Sequence, residues 1–269
     1  MTPQLKDALF SVDDGVAKLS LNRDDVRNAL TGTHLVEDIC QAAQWCNDNT
    51  DIRCLIIGAE GKAFSAGGNI KEMRDRSGMF GGSTSEISRQ YRAGIQRMSR
   101  AVFNAEVVTI AAINGPAVGA GFDLCCMCDF RIAANSARFG ETFINLGIIP
   151  GDGGAWFLQR LVGYQRAAEL TLSGRVFDAV EAEKLGLLLE RVADDELDAA
   201  ADKLARSYAS KPPIALRQTK RLMKTAQRQE LGDFLDLCAD VQAQCHHSDD
   251  HHEAVSAFLE KRPGVFTGK

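Results

Sequence analysis

Two short segments rich in small residues are the parts of this sequence best suited to chemistry. "FSAGGNI", Phe64 to Ile70, and "GPAVGAGFDL", Gly115 to Leu124, each lead from an apolar, strand-like run into helical spacing. Small residues at such a junction leave the first N–H groups of the helix unpaired and let another molecule approach the main chain closely. Each segment is therefore suited to receive an anion, or an oxygen that becomes negative during a reaction. Neither is a dinucleotide-type GxGxxG after the first strand, and neither ends in the Lys-Ser/Thr of a phosphate-cradling loop. A single glycine turn serves equally for tight turning and packing; a pair of them points to an anion site.

Acids near these turns are candidate proton carriers. Asp123 closes the second segment, and Asp152 lies in "PGDGG", where an Asp before Gly suits a turn as well as a catalytic role. Glu141 is another nearby acid that could carry protons, but the favoured reading is a helix-start acid complementing the helix dipole. "HHSDDHH", His246 to His252, has the look of a metal cluster but is explained more simply by Ser248 or Asp249 capping the next helix, leaving the rings in solvent. "CCMC", Cys125 to Cys128, suits helix packing beneath the second turn, and no set of cysteines has paired CxxC spacing, so the eight cysteines read as reduced and mostly buried. No metal site is expected. Ser65 has no histidine spaced to serve as its base. The basic run "RQTKRLMK", Arg217 to Lys224, reads as a solvated face or a subunit edge.

Taken in order, "NRDDVRNAL" (Asn22 to Leu30), the two glycine segments, "GIIPGDGG" (Gly147 to Gly154) and "AFLEKR" (Ala257 to Arg262) resemble the crotonase, or enoyl-CoA hydratase/isomerase, superfamily over nearly the whole chain. The resemblance implies a spiral of ββα units followed by helices that build trimers, often paired into hexamers. It implies an acyl coenzyme A substrate whose thioester oxygen is held by the N–H groups of Gly68 and Ala120, with Ala120 standing where the family usually has Gly. No cofactor is expected beyond the coenzyme A carried by the substrate. Arg27, the Ala66 carbonyl, Gly68 and Ile70 would lie along coenzyme A, and Phe258 and Lys261 match terminal-helix residues that reach it, often from a neighbouring subunit. Hydratases of the family use two glutamates. Here the first falls on Asp123, a shorter carboxylate, and the second on Phe143, which moves no protons. Asp123 is the leading proton carrier and Asp152 the second, one place later than the aspartate of the family's isomerases. Asn69 replaces a usual Asp and caps its helix nearly as well. Hydrolysis or ring opening of a thioester, and acyl-CoA binding without catalysis, are the competing readings. Met73, Met79 and Phe80 could line an acyl pocket or simply pack their loop.

These residues need a scaffold of alternating strands and helices. Val12 to Leu21 alternates as a strand, Thr31 to Asn49 has helical spacing, and Arg53 to Gly58 is a buried-strand run. A helix starts at Ile70, helical spacing resumes from Glu86 to Asn104, and Val107 to Ile113 and Phe130 to Ala134 are further strands. The remainder is helix-rich, and from Asp194 onward almost wholly helical, with breaks at Lys211 to Pro213 and at Gly232. The reading is thus α/β, with residues 1–193 forming the acyl-CoA-binding core and 194–269 a helical subdomain. No internal sequence repeat stands out. A chain of 269 residues, 45% hydrophobic, can bury a full core. A net charge of −5 argues against nucleic-acid binding. No apolar run approaches membrane-spanning length and the N-terminus lacks a secretory pattern, so the expectation is a cytoplasmic protein without membrane contact.

Overall fold

The computed structural model describes residues 2–269. The chain opens with β1 (Ala8–Asp13) and β2 (Val16–Leu21), an antiparallel hairpin. The segment expected as one strand from Val12 is therefore two. Asp14 and Gly15 both take positive φ, 42° and 75°, which gives the tight turn whose twist suits a two-residue hairpin. Helix α1 (Leu35–Asp48) then buries Leu35, Ile39, Ala42, Ala43 and Cys46 along one stripe.

Three successive turns of a spiral follow, and each contributes a strand to a large sheet and an extended segment to a small one. β3 (Cys54–Ala59) is followed by Ser65, which bridges to Ala117, and then by α2 (Ile70–Asp75), α3 (Thr84–Ala93) and α4 (Ile95–Phe103). β4 (Val108–Ile113) leads to β5 (Ala117–Val118) and α5 (Ala120–Met127). β6 (Phe130–Ala134) leads to β7 (Arg138–Gly140), then α6 (Gly154–Val162) and α7 (Tyr164–Ser173). β8 (Phe177–Asp178), α8 (Ala179–Lys184) and β9 (Glu190–Val192) complete this part. The large sheet runs β1-β2-β3-β4-β6-β9, parallel from β2 onward, and the small one β5-β7-β8.

Both faces of the large sheet are covered, which is why its central strands are almost continuously apolar. Leu55, Ile57, Ala111 and Ile113 join the main core with α1, α4 and α5, whereas Cys54, Ile56, Val108, Ile110 and Ala112 pack on the other face against Leu197, Ala201 and Ala205 of α9 (Leu197–Ala209). Three further helices, α10 (Pro213–Thr225), α11 (Leu231–His246) and α12 (Asp249–Glu260), end the chain. The second break falls at residues 226–230, and Gly232 lies inside α11.

The basic run on α10 is not a solvated face. Arg217 donates to the carbonyls of Cys46, Asn47, Asn49 and Ile52, collecting the carbonyls left open where α1 ends. Lys220 is buried and meets Asp129 at 2.5 Å, while Asp129 also accepts from the Thr109 N–H and hydroxyl. Ser248 caps α12 by accepting from the His251 N–H, and His246 and His251 pair ring to ring at 3.0 Å. All eight cysteines are free, and Cys125, Cys126 and Cys128 are buried. Among the described residues no helix is long and apolar enough to cross a membrane.

Candidate active site

The two glycine turns are hydrogen-bonded to each other. Val118 N–H donates to the Ser65 carbonyl and Ser65 N–H to that of Pro116, both at 3.1 Å. This laces the first turn of the spiral to the second. The pairing works only with minimal side chains. Gly67 sits at φ 76°, and a Cβ there would lie 2.6 Å from the Val118 carbonyl oxygen and 3.0 Å from the Ala120 nitrogen. A Cβ on Gly121 would collide with Ser65. Behind the first turn, Asn28 bonds the carbonyls of Glu60 and Ala63, and the Ser65 hydroxyl bonds the Asn28 carbonyl.

The consequence is a pair of free donors. Ala66 N–H is used by the Arg27 carbonyl at 2.9 Å and Gly67 N–H by the Ser65 hydroxyl at 3.1 Å, yet among the described residues neither Gly68 N–H nor Ala120 N–H meets an acceptor. Gly68 directly precedes Asn69, which caps α2 by accepting from Lys71 and Glu72 N–H, and Ala120 begins α5. Both donors thus sit at the positive end of a helix, where a negative oxygen is stabilised.

The third turn of the spiral joins them. Gly119 N–H donates to the Gly140 carbonyl at 2.8 Å, so the chain leaving β7 runs alongside the start of α5. This places Phe143 with its ring edge 3.8 Å from where a Cβ of Gly119 would be. It also turns Glu141 inward. The Glu141 side chain makes no cap at the short 3-10 helix that follows it, Thr142–Leu146, and is wholly buried. Glu141 does stand at a helix start, but its side chain turns into the site instead of capping the helix. One carboxylate oxygen accepts from the Thr171 hydroxyl of α7, and the other faces Asp123 across Gly154. A Cβ on Gly154 would fall on the oxygens of both carboxyls at once.

Asp123, Glu141 and Asp152 therefore form one buried group, 0%, 0% and 4% exposed. Among the described residues both oxygens of Asp123, both of Asp152 and one of Glu141 have no side-chain partner outside the group, within which Asp123 and Asp152 bond to each other. Burial holds the Asp123 carboxyl well above the usual carboxylate range, and the neighbouring Asp152 and Glu141 charges add to the rise. Burial also raises Glu141 and Asp152, while the Thr171 hydroxyl pulls Glu141 partly back. Three carboxylates this close in an apolar setting repel one another, so the group favours holding a shared proton over full ionisation. The Asp152 turn is fixed from α4: Gln96 donates to the Gly151 carbonyl at 2.8 Å and Ser99 to that of Asp152 at 2.6 Å.

An apolar groove of about 610 Å³ opens beside Gly68, lined by Ile70, Met73, Phe80, Ile87, Tyr91 and Ile148 among others. Met73 and Phe80 both approach Gly68, whereas Met79 packs on the core instead. Arg27 and Ala66 flank the first turn, joined through their backbones. Phe258 and Lys261 stand apart from it. They lie at the end of α12, Phe258 83% exposed, and the tail after α12 is tied to the beginning of β3 through Arg53 and the Phe266 carbonyl. Glu141, a nearby acid in the sequence, joins the site through its place just after β7, where Gly140 pairs with Gly119.

The family model for enoyl-CoA hydratase/isomerase matches residues 11–269. The chain is 35% identical to the crotonyl-CoA hydratase of Syntrophomonas wolfei subsp. wolfei over 262 residues, covering 97% of this chain and 98% of that protein. It is 34% identical to the 1,2-epoxyphenylacetyl-CoA isomerase of Escherichia coli (strain K12), over 97% and 98% of the two chains. The crystal structure of enoyl-CoA hydratase from Bacillus anthracis superposes with a TM-score of 0.90 at 33% identity, covering 98% of this chain and 100% of that one. The mixed α/β spiral with its helical end is the crotonase fold, and the chain belongs to the enoyl-CoA hydratase/isomerase family as an acyl-CoA enzyme of that type.

Proposed function

We propose that this enzyme moves a proton, and with it a double bond, within an enoyl coenzyme A thioester, in preference to adding water across the bond. The Gly68 and Ala120 N–H groups hold the thioester oxygen. As a C–H proton leaves, the electron pair of that bond enters the new C=C and the charge collects on the oxygen, which two fixed donors stabilise more than they stabilise the neutral carbonyl. Each donor is worth about 2.7 to 4 kcal/mol of transition-state stabilisation. Asp123, three residues beyond Ala120 on α5, carries the proton, with Asp152 its buried neighbour and second candidate.

The observation that favours isomerisation is Phe143. Where hydratases of the family resemble one another in a second glutamate, this chain sets an aromatic ring against the oxyanion turn, which can neither activate nor orient water. The apolar groove beyond Gly68 suits the acyl chain. Arg27, Ala66, Gly68 and Ile70 are assigned to coenzyme A, and Phe258 and Lys261 to the coenzyme bound by an adjacent subunit of a trimer or hexamer. The thioester brings its own coenzyme A, no other cofactor takes part, and the setting is cytoplasmic.

The test is direct. With crotonyl coenzyme A and 3-enoyl coenzyme A thioesters in deuterated water, the enzyme is expected to exchange carbon-bound protons and shift the double bond, with little loss of enone absorbance to hydration. Rapid hydration of crotonyl coenzyme A without a double-bond shift in any 3-enoyl thioester would overturn the assignment.

A further inference from the structure

Glu141 is used by nothing so far described, yet the fold takes trouble to place it. Its backbone follows β7 at the point where the third spiral turn meets the second, its carboxyl is wholly buried, Thr171 from α7 donates to one of its oxygens, and the other lies across Gly154 from Asp123 of α5. Asp152 faces the same group from the turn before α6, and the thiol of Cys126 on α5 lies near enough to feel its charge. Among the described residues no basic side chain acts on the cluster to neutralise it. A carboxyl next to another, with a hydroxyl donating to one of its oxygens, is held so that its free oxygen can exchange a proton with its neighbour.

Resting on the isomerase reading above, we propose that Glu141 is a positioning and relay residue that takes the resting proton from Asp123, leaving Asp123 ionised and able to remove a proton from the substrate. The balance is simple. The Asp123 O–H proton passes to the free oxygen of Glu141, whose negative charge moves to Asp123. Asp123 then accepts the substrate C–H proton and returns it to the carbon two bonds away, so substrate and product have the same atoms. Thr171 donates to the charged form of Glu141, which keeps that carboxyl ionised at rest and its free oxygen open to the proton. Glu141 thereby supplies from the third spiral turn a second acid–base partner at a different position from Phe143.

The experiment compares wild type with Glu141→Gln, Glu141→Asp and Thr171→Val, reading proton exchange and double-bond shift across pH. Glu141→Gln keeps shape but cannot take the proton. Its kcat should fall about 100-fold or more, in the range a proton-transfer partner contributes, while KM stays within about threefold. Glu141→Asp should recover part of the loss. Thr171→Val should move the acid limb of the kcat profile to higher pH, because Glu141 then loses the donor that favours its ionised form. Thermal unfolding and coenzyme A binding check that each variant is folded, and the Thr171→Val profile decides alone if Glu141→Gln does not fold. Wild-type exchange undiminished in Glu141→Gln, or an acid limb unmoved in Thr171→Val, overturns the relay and leaves the isomerase reading standing. Absence of exchange in the wild type overturns both.

Discussion

Gly67→Ala is the most informative single change in the oxyanion turns. The new methyl would sit 2.6 Å from the Val118 carbonyl oxygen and 3.0 Å from the Ala120 nitrogen, both backbone atoms of the opposing turn. Ordinary carbon contacts begin near 3.4 Å, so one strand of the junction must move by about 0.5 to 1 Å, and neither can yield by rotating a side chain. At φ 76° the alanine is also strained by about 1 to 2 kcal/mol. With the overpacking, the expected loss of stability is about 2 to 5 kcal/mol. The displacement lies between the Gly68 and Ala120 donors themselves. A misplacement near 1 Å costs about 100-fold, and complete loss of one donor up to about 1000-fold. The kcat for double-bond shift should therefore fall between about 100- and 1000-fold. Gly232→Ala is the matched control, since nothing lies within 4 Å of its added methyl and it stands inside α11, where it should stabilise by up to about 1 kcal/mol. The assay is steady-state turnover at a temperature where both variants are folded, with urea unfolding alongside. A Gly67→Ala enzyme with kcat within threefold of wild type would refute the idea that these two turns must touch for the donors to act.

Other changes test the surroundings. Asp123→Asn removes a carboxyl that keeps its proton in the fold but loses it in the unfolded chain near pH 4, so wild-type stability from this group falls as pH rises from about 4 through its raised folded value. The variant should gain on wild type as pH rises from 5 to 8 in urea unfolding, while losing turnover; an equal difference at both pH values would count against a shared buried proton. Asp129→Ala strands the buried Lys220 and should cost about 3 to 5 kcal/mol, measured by chemical denaturation, with far less effect if Lys220→Met accompanies it. Met73→Ala enlarges the apolar groove next to Gly68 and should shift kcat/KM toward longer acyl chains in a panel of thioesters; an unchanged chain-length profile would place the acyl group elsewhere.

Much of the scaffold can be read from residue order because burial on both sheet faces leaves plain apolar runs such as Cys54–Ala59 and Val108–Ile113. The hairpin was harder: Val16–Leu21 carries the alternation, but the Asp14-Gly15 turn that divides it from β1 was passed over as part of one strand. Gly94 likewise splits the helical stretch from residue 86 to 104 into α3 and α4. The donors at Gly68 and Ala120 were legible because glycine-rich junctions are local. Glu141 is legible only as a nearby acid, since its inward direction depends on the Gly119 to Gly140 bond and on Thr171, far along the chain. Arg217 and Lys220 show the same limit: charge at helical spacing looks like a solvated face until the carbonyls that absorb it are seen.

The lacing of Ser65, Val118 and Gly140 also governs when the enzyme can become active during folding. The parts that hold an oxyanion come from residue 68 and residue 120, and their carboxyl neighbours from residues 123, 141 and 152, so no early local element contains a working site. Contacts of such long sequence separation form late, after the loops between them close. Helical signal should therefore return first on dilution from denaturant, with turnover lagging behind it, and the length of that lag times the moment when the third coil of the spiral settles onto the second.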